Sequence, residues 1–185
     1  GLFGELGTGF TGTLTASTNN ATVSGTANYI GGVVGIHHKG TIQNCVNKGA
    51  VNGVSNIGGI TGRSATNISN TAINVRYCMN NGTITASNGY AGGIIGYYSP
   101  GSASLSATYL YNFGSVSGST YGGIIGINTT SYISVTNSWS FYTSVPASAD
   151  LVGRYTYTGK YVANAVGATI LPSVGMNLHT DWTAI

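Results

Sequence analysis

The 185-residue chain is poor in charge: 5% of its residues are charged, against roughly 25% in ordinary soluble domains. Its hydrophobic content of 42% excludes intrinsic disorder, and its net charge of +3, spread along the chain, excludes a nucleic-acid surface built on a basic cluster. No apolar run reaches the roughly 18 residues of a membrane-spanning helix, and abundant Val, Ile, Thr and Tyr interrupted by 30 glycines predict an all-β fold.

A glycine-rich unit recurs along the chain at intervals of about 30 residues. Each clear copy has two glycines, two further residues and a final glycine, and degenerate copies flank the clear ones. The final glycines are Gly4, Gly35, Gly62, Gly96, Gly126 and Gly153. Because a repeat of this size cannot bury an apolar face by itself, successive repeats must stack. We therefore predict an all-β, β-helix-like solenoid of about six short glycine-cornered coils with a C-terminal cap. A propeller is disfavoured because its blades are longer than these repeats.

Stacking makes specific predictions for the columns of side chains. An inner column should contain Val33, Ile60, Ile94 and Ile124. A second element, with the pattern Asn-x-Gly, follows each glycine unit, and its stacked asparagines should form an amide ladder: Asn47, Asn80 and Asn112. Asparagine tolerates the left-handed backbone region and can bond its own backbone at a turn. The repeat glycines should serve positive φ angles at corners or close backbone approach.

Two cysteines occupy equivalent positions in consecutive repeats, Cys45 and Cys78. One layer of separation is compatible with a disulfide, but also with a column of stacked, buried thiols that Leu110 and Ser140 continue. Leucine as the third member favours the reduced, buried column. Two thiols are too few to hold zinc, and we predict no metal and no cofactor.

The repeats predict two regions. Residues 1–153 form the solenoid, and residues 154–185, which lose the glycine unit, form a C-terminal cap or the start of a following domain. The chain starts at Gly1 without a methionine or the features of a signal peptide, so we expect a mature or excised piece of a longer protein.

The glycine unit, alternating with the element Asn44-Cys45-Val46-Asn47-Lys48-Gly49-Ala50-Val51, resembles the GLUG repeat over roughly residues 1–153. That repeat occurs in large bacterial surface and secreted proteins, including IgA-specific metallopeptidases and adhesin-like proteins of gut Bacteroidetes. The resemblance implies a role in cell-surface adhesion. It does not extend to the peptidase part, because no His-Glu-x-x-His motif is present.

Catalytic machinery is sparse. The acidic residues are Glu5, Asp150 and Asp181, and their positions along the array disfavour a paired-carboxylate hydrolase. The one local cluster of ionisable residues is His37-His38-Lys39, which we interpret as a solvated loop. Adjacent residues on a strand point to opposite faces, so the two histidines should not serve one site. We predict that the chain is not an enzyme.

Aromatic residues are the remaining functional signal. The candidate ligand-binding face contains Tyr97, Tyr98, Tyr111 and Tyr121, with packing at corners as the alternative. The sequence thus predicts a non-catalytic extracellular or bacterial cell-surface module for adhesion or as a stalk, with a host or microbial glycan or protein as partner. The alternatives are a carbohydrate-active β-helix enzyme, which would use His37 or His38, and a structural spacer that associates end to end.

Overall fold

The computed structural model describes residues 1–65, 72–99, 104–129, 133–136, 138–141 and 169–171. Within these ranges the chain is all-β, without a helix, and its parallel sheets stack as a β-solenoid of about four turns. The predicted fold class is therefore confirmed. The sixth predicted coil at Gly153 and the predicted cap lie outside the described residues, apart from one short strand.

Each complete turn passes through four sheets in the same order. The first turn contains β1 (Phe3–Leu6), β2 (Gly12–Thr15), β3 (Thr18–Asn19), β4 (Val23–Ser24) and β5 (Asn28–Gly31). The second contains β6 (Val34–His37), β7 (Gly40–Gln43), β8 (Val46–Asn47), β9 (Val51–Gly53) and β10 (Ser55–Gly58). The third contains β11 (Thr61–Ser64), β12 (Ala72–Asn80), β13 (Ile84–Ala86) and β14 (Tyr90–Gly92). The fourth contains β15 (Ile95–Tyr98), β16 (Ser104–Asn112), β17 (Val116–Ser117) and β18 (Thr120–Gly122).

A fifth turn begins with β19 (Ile125–Asn128), β20 (Ile133–Thr136) and β21 (Trp139–Phe141), and β22 (Thr169–Leu171) pairs with β21. The first sheet has the order β1-β6-β11-β15-β19. The second sheet has nine strands along β2-β7-β12-β16-β21-β22, with β3, β8 and β20 beside that path. The third sheet is β4-β9-β13-β17 and the fourth is β5-β10-β14-β18.

The predicted inner column exists. Val33, Ile60, Ile94 and Ile124 are all fully buried in one core cluster. Backbone hydrogen bonds connect them in order: the Val33 N–H donates to the Ile60 carbonyl at 3.1 Å, Ile60 to Ile94 at 2.9 Å, and Ile94 to Ile124 at 3.0 Å. Like positions of successive repeats therefore lie directly on top of one another, as the sequence predicted.

The predicted amide ladder also exists and is one member longer at its start. The Asn19 Nδ2 donates to Asn47 Oδ1 at 2.8 Å, Asn47 to Asn80 at 2.7 Å, and Asn80 to Asn112 at 2.8 Å. Asn112 then donates to the Ser140 hydroxyl at 3.2 Å. Each asparagine also donates to the carbonyl two residues on, so these buried amides are paired both within and between turns.

The asparagine ladder runs along the stack through the interior and lies between two apolar clusters. The asparagines stand where the second sheet ends, and their amides lie against glycines at the opposite corner: Gly32, Gly59 and Gly93. The larger cluster lies between the first and second sheets and the smaller one between the third and fourth, where Val51, Ile57 and Ile84 are buried. Each turn thus buries two small cores instead of one large core.

Close approach, and not a positive φ, explains the repeat glycines. Among the described residues the glycines with positive φ are Gly7, Gly40 and Gly89, none of which belongs to a repeat unit. A Cβ at the second glycine of the pair, such as Gly59, would overlap the ladder amide of Asn80. A Cβ on the final glycine of a unit would overlap backbone atoms of an earlier turn at Gly35, Gly62, Gly96 and Gly126, whereas at Gly4, in the first turn, it would have no neighbour within 4 Å. Gly153 lies outside the described residues.

The left-handed corner falls three residues before each ladder asparagine and not on the asparagine itself. The residues there have φ between 52° and 54°: Ala16, Asn44, Tyr77 and Tyr109. A left-handed backbone is unfavourable for residues with a Cβ, especially bulky ones. Because alanine, asparagine and tyrosine all adopt it at one repeat position, the stacked backbone imposes this conformation and the local sequence does not.

Candidate functional site

The structure separates the four predicted binding tyrosines. Tyr98 and Tyr111 are buried, with 0% and 3% of their surface exposed, so they do not belong to an exposed face. Tyr98 packs into the larger core cluster, and Tyr111 lies in register with Met79 in the second sheet. Tyr121 is half-buried and packs against the smaller cluster. Tyr97 remains as a surface residue, and the candidate site must be rebuilt around it.

Tyr97 belongs to a file of side chains that crosses the first sheet. Strand register places Glu5 beside Ile36, Ile36 beside Arg63 and Arg63 beside Tyr97. The Tyr29 ring, from β5 in the fourth sheet, joins this file from the side. Tyr29 and Tyr97 have ring centroids 6.3 Å apart and planes inclined by 19°. The Arg63 guanidinium carbon lies 5.0 Å from the Tyr29 centroid and 5.8 Å from that of Tyr97. We call these three residues the Arg63 cluster.

The local backbone explains why Tyr29 reaches Arg63. Tyr29 has a φ of 61°, a left-handed backbone conformation inside β5 of the fourth sheet. Its carbonyl group packs directly on Gly62, where a Cβ would overlap it. The glycine that precedes Arg63 therefore lets the two backbones meet, and this contact brings a tyrosine at the end of the first turn next to an arginine at the start of the third.

Arg63 is the unusual cation of the described surface. Its half-buried side chain has a buried Nε without a hydrogen-bond partner. The carboxylate found within the described residues lies elsewhere, where Glu5 contacts the His38 ring, a contact that is an ion pair only when the imidazole is protonated. Arg76 provides the contrast, since its Nε donates to the Gln43 side-chain oxygen at 2.8 Å. Two tyrosine faces attract the Arg63 charge, but no carboxylate neutralises it in the described structure.

The two histidines diverge, as strand alternation predicts, but the interpretation as a solvated loop is wrong for His37. His37 is fully buried at the end of β6, and both of its ring nitrogens lack hydrogen-bond partners. Burial lowers its pKa from 6.5 to about 4, so the ring is neutral near pH 7. The carbonyls of Gly40 and Lys39 oppose this shift without forming a well-aligned hydrogen bond.

His38 has an acidic partner that sequence distance concealed. Its Nε2 lies 3.4 Å from a carboxylate oxygen of Glu5, and both side chains are partly exposed. The two residues are 33 positions apart, about one repeat, so stacking brings them together. Repeat-to-repeat alignment was the signal that would have found this pair.

Cys45 and Cys78 are free and fully buried. The Cys45 thiol donates to the Gln43 carbonyl and the Cys78 thiol to the Arg76 carbonyl, each at 3.2 Å. Burial raises the pKa of the Cys78 thiol, which favours its protonated form. The choice between a disulfide and reduced thiols stays a prediction.

The column that contains the cysteines differs from the prediction in one member. It continues through Leu110 to Ser138, not Ser140, because Tyr111 pairs with Trp139. The predicted alignment of the last repeat was therefore two residues out of register. Ser140 instead ends the asparagine ladder.

A second tyrosine pair escaped the sequence analysis. Tyr77 and Tyr109 stack with centroids 4.9 Å apart and planes 7° from parallel. They occupy the same left-handed corner position in successive turns. The recurrence of an aromatic residue at one repeat position is the sequence signal that could have identified this pair. Both rings are half-buried. Since these parallel rings face each other along the stack, the pair covers its own inner faces.

The comparisons with known proteins leave the family open. No family model, curated protein or solved structure matches the chain. The resemblance to GLUG repeats therefore stays a prediction from the sequence. Across the described ranges, no helix has the length and apolar character to cross a bilayer, and no three His, Cys, Asp or Glu side chains group as metal ligands.

Proposed function

We propose that the chain is a non-catalytic repeat module of an extracellular or bacterial cell-surface protein, and that it binds glycans through the Arg63 cluster. The observation that supports this proposal is the grouping of Tyr29 and Tyr97 around Arg63 on the first sheet. Aromatic rings bind the apolar faces of sugars, and a neighbouring guanidinium supplies several hydrogen-bond donors in a fixed plane.

The solenoid suits this role because it holds the three residues on paired backbones. Arg63 and Tyr97 are adjacent members of one parallel ladder, and Tyr29 is fixed by its contact with Gly62. Little conformational freedom is lost when such a surface binds a ligand, so more of the contact energy appears as affinity. Stacked repeats typically bind along an extended surface of this kind.

A glycan array followed by calorimetry tests the proposal. We expect the wild-type chain to bind a subset of glycans and the double variant Y29A/Y97A to lose that binding. The matched control is Y77A/Y109A, which removes the other tyrosine pair and should keep the affinity within about twofold. Equal loss in both double variants, or retention in Y29A/Y97A, would remove the Arg63 cluster as the binding surface. If the chain binds a host protein and no glycan, the proposed ligand is a protein and not a glycan.

The second candidate is a carbohydrate-active enzyme of the β-helix type, and the pair of Glu5 and His38 favours it. The Glu5 carboxylate lies 3.4 Å from the His38 Nε2 without a hydrogen bond, and a small shift of either side chain would form the bond by which a carboxylate orients a histidine general base. Incubation with a polysaccharide panel decides this alternative. Turnover that disappears in both E5Q and H38A would establish an enzyme and overturn the non-catalytic proposal.

A structural spacer is the third candidate. Apolar side chains are exposed in the first turn: Leu2, Phe3 and Phe10. Leu2 and Phe3 continue the inner columns of Val33 and Val34, so a further coil stacked on this edge would bury them. The spacer function predicts no glycan ligand together with concentration-dependent association in light scattering, which L2S/F3S reduces.

A further inference from the structure

We infer that the Arg63 cluster recognises the anionic group of an acidic glycan, a carboxylate or a sulfate, while a tyrosine ring contacts the sugar. This inference rests on the proposed function and adds the chemical class of its ligand. It depends on three features of Arg63: its uncompensated charge, its unpaired Nε and its aromatic neighbours.

The charge comes first. The described residues include one acidic residue, Glu5, and it pairs with His38. Glu5 is two strands away from Arg63 in the file across the first sheet, with Ile36 between them. Two strand spacings are about 10 Å, which is about one Debye length at physiological salt, so Glu5 does little to neutralise the guanidinium. An anion bound at Arg63 therefore meets an available cation.

The unpaired Nε of Arg63 favours an acidic sugar over a neutral one. A buried donor without an acceptor costs free energy, and a ligand that supplies the acceptor recovers it. The Arg63 Nε is buried, so a ligand must displace the groups that cover it. Once uncovered, this edge of the guanidinium presents two parallel N–H groups, which match two oxygens of a carboxylate or sulfate. Arg76 lacks this opportunity because Gln43 already accepts from its Nε. The two arginines thus differ in their Nε–H group, which is unpaired in Arg63 and already bonded in Arg76.

The tyrosines strengthen the interaction and add the sugar contact. Their rings cover part of the guanidinium, and less water around an ion pair weakens the screening of its attraction. Ile36 continues the file on the other side of Arg63 and adds apolar surface. A neutral sugar can use the rings alone, but it leaves the Nε–H unpaired and the charge without a partner. An acidic sugar satisfies all three features at once.

Titration calorimetry with four probes tests the inference: a short oligogalacturonate, its methyl-esterified form, a sulfated dextran oligosaccharide and unsulfated dextran. We expect the wild-type chain to bind at least one acidic probe about tenfold or more tighter than its neutral counterpart, with affinity falling as salt rises. The two acidic arms distinguish carboxylate from sulfate. R63Q should lose the preference, whereas R76Q should keep it, and melting curves of both variants check that they fold.

The outcomes separate this inference from the function on which it rests. Equal binding of the acidic and neutral probes, or a preference that survives in R63Q, overturns the anionic ligand and leaves glycan binding intact. Absence of binding to both acidic probes overturns the anionic ligand, and the glycan array then decides separately whether the chain binds glycans at all. If R63Q fails to fold, the esterified and unsulfated probes still decide the question on the wild-type chain.

Discussion

At the scale of single residues, the glycine units are the strictest requirement of this chain. Apart from Gly4, the paired and final glycines for which the contacts are known are dictated by close approach, because a Cβ would overlap a ladder amide or backbone atoms of the same unit or of an earlier turn. Such contacts cannot relax by a change of rotamer, since the opposing atoms belong to the backbone or to a buried hydrogen-bond network. The composition of the chain follows directly from this packing.

We expect Gly59→Ala to destabilise the fold by about 2 kcal/mol or more, as overpacking of a tight interior usually does. The added methyl group would overlap the Gly93 carbonyl oxygen and the Asn80 amide. Urea unfolding followed by circular dichroism measures the change. Gly9→Ala is the control, because a Cβ at Gly9 has no neighbour within 4 Å. Similar stability of the two variants would contradict the close-approach explanation.

His37 gives a second prediction at this scale. Its folded pKa of about 4 is below the unfolded value of 6.5, so the unfolded chain binds the proton more tightly. The His37 contribution is therefore complete above pH 6.5 and is lost as pH falls towards 4, by about 3 kcal/mol in total. On the neighbouring strands Leu6 and Ser64 are in register with His37, and His38 and Lys39 follow it along the chain.

Unfolding free energies measured from pH 7 to pH 4 test this. The wild-type chain should lose more stability over that interval than His37→Leu, which cannot bind a proton there. His38→Gln serves as the control and should retain most of the wild-type slope. Parallel pH profiles for the wild type and His37→Leu would show that His37 does not titrate in this window.

At the scale of elements, the asparagine ladder and the strands stabilise one another. Each ladder amide bonds its own corner and the corner of the next turn, and so fixes the register between the second sheet and the glycines opposite. Hydrogen bonds in such a buried chain are costly to interrupt, because both neighbours then lose a partner without gaining water.

Asn80→Ala should therefore destabilise the chain by about 2 to 4 kcal/mol, since it removes bonds to Asn47 and Asn112 and the bond to the Gly82 carbonyl. Asn19→Ala, at the end of the ladder, should cost less because it has one neighbour in the ladder. Asn52→Ala is the matched control: it breaks an exposed amide bond to Ser24 and should cost under about 0.5 kcal/mol. Urea midpoints that do not follow this order would contradict the ladder.

At the scale of the whole molecule, stability is distributed along one axis. Each turn contacts the turns directly above and below, so the free energy of the stack is close to a sum over turns and their interfaces. The first turn is different, because β1 and β2 each pair with one described strand and Leu2 and Phe3 are exposed at 48% and 44%.

We expect hydrogen exchange to follow this axis. Amides of β11, β12 and β15 should exchange slowest, and amides of β1 and β2 fastest among the described strands. Mass spectrometry of exchanged peptides gives the profile. Uniform protection across the five turns would show that the stack opens as one unit. Protection of β1 that falls on dilution would instead indicate association through the first turn.

The sequence by itself determined the repeat and its consequences. Because turns stack directly, the recurrence of like residues was enough to predict the inner column of Val33 and Ile60, the amide ladder, and the equivalence of Cys45 and Cys78. The composition likewise showed, without coordinates, that acidic residues are scarce.

The tertiary structure alone decided the direction of side chains at the corners and the contacts between different faces. Tyr97 and Tyr98 are neighbours on β15, so alternation alone sends them to opposite faces, but only the structure shows that Tyr98 is the one in the core. Tyr29 meets Arg63 across a corner, and Glu5 meets His38 across a turn. Aligning the repeats is enough to bring Glu5 close to His38, which is 33 positions away. The contact between Tyr29 and Arg63 joins two different sheets, and only the path of the backbone shows it.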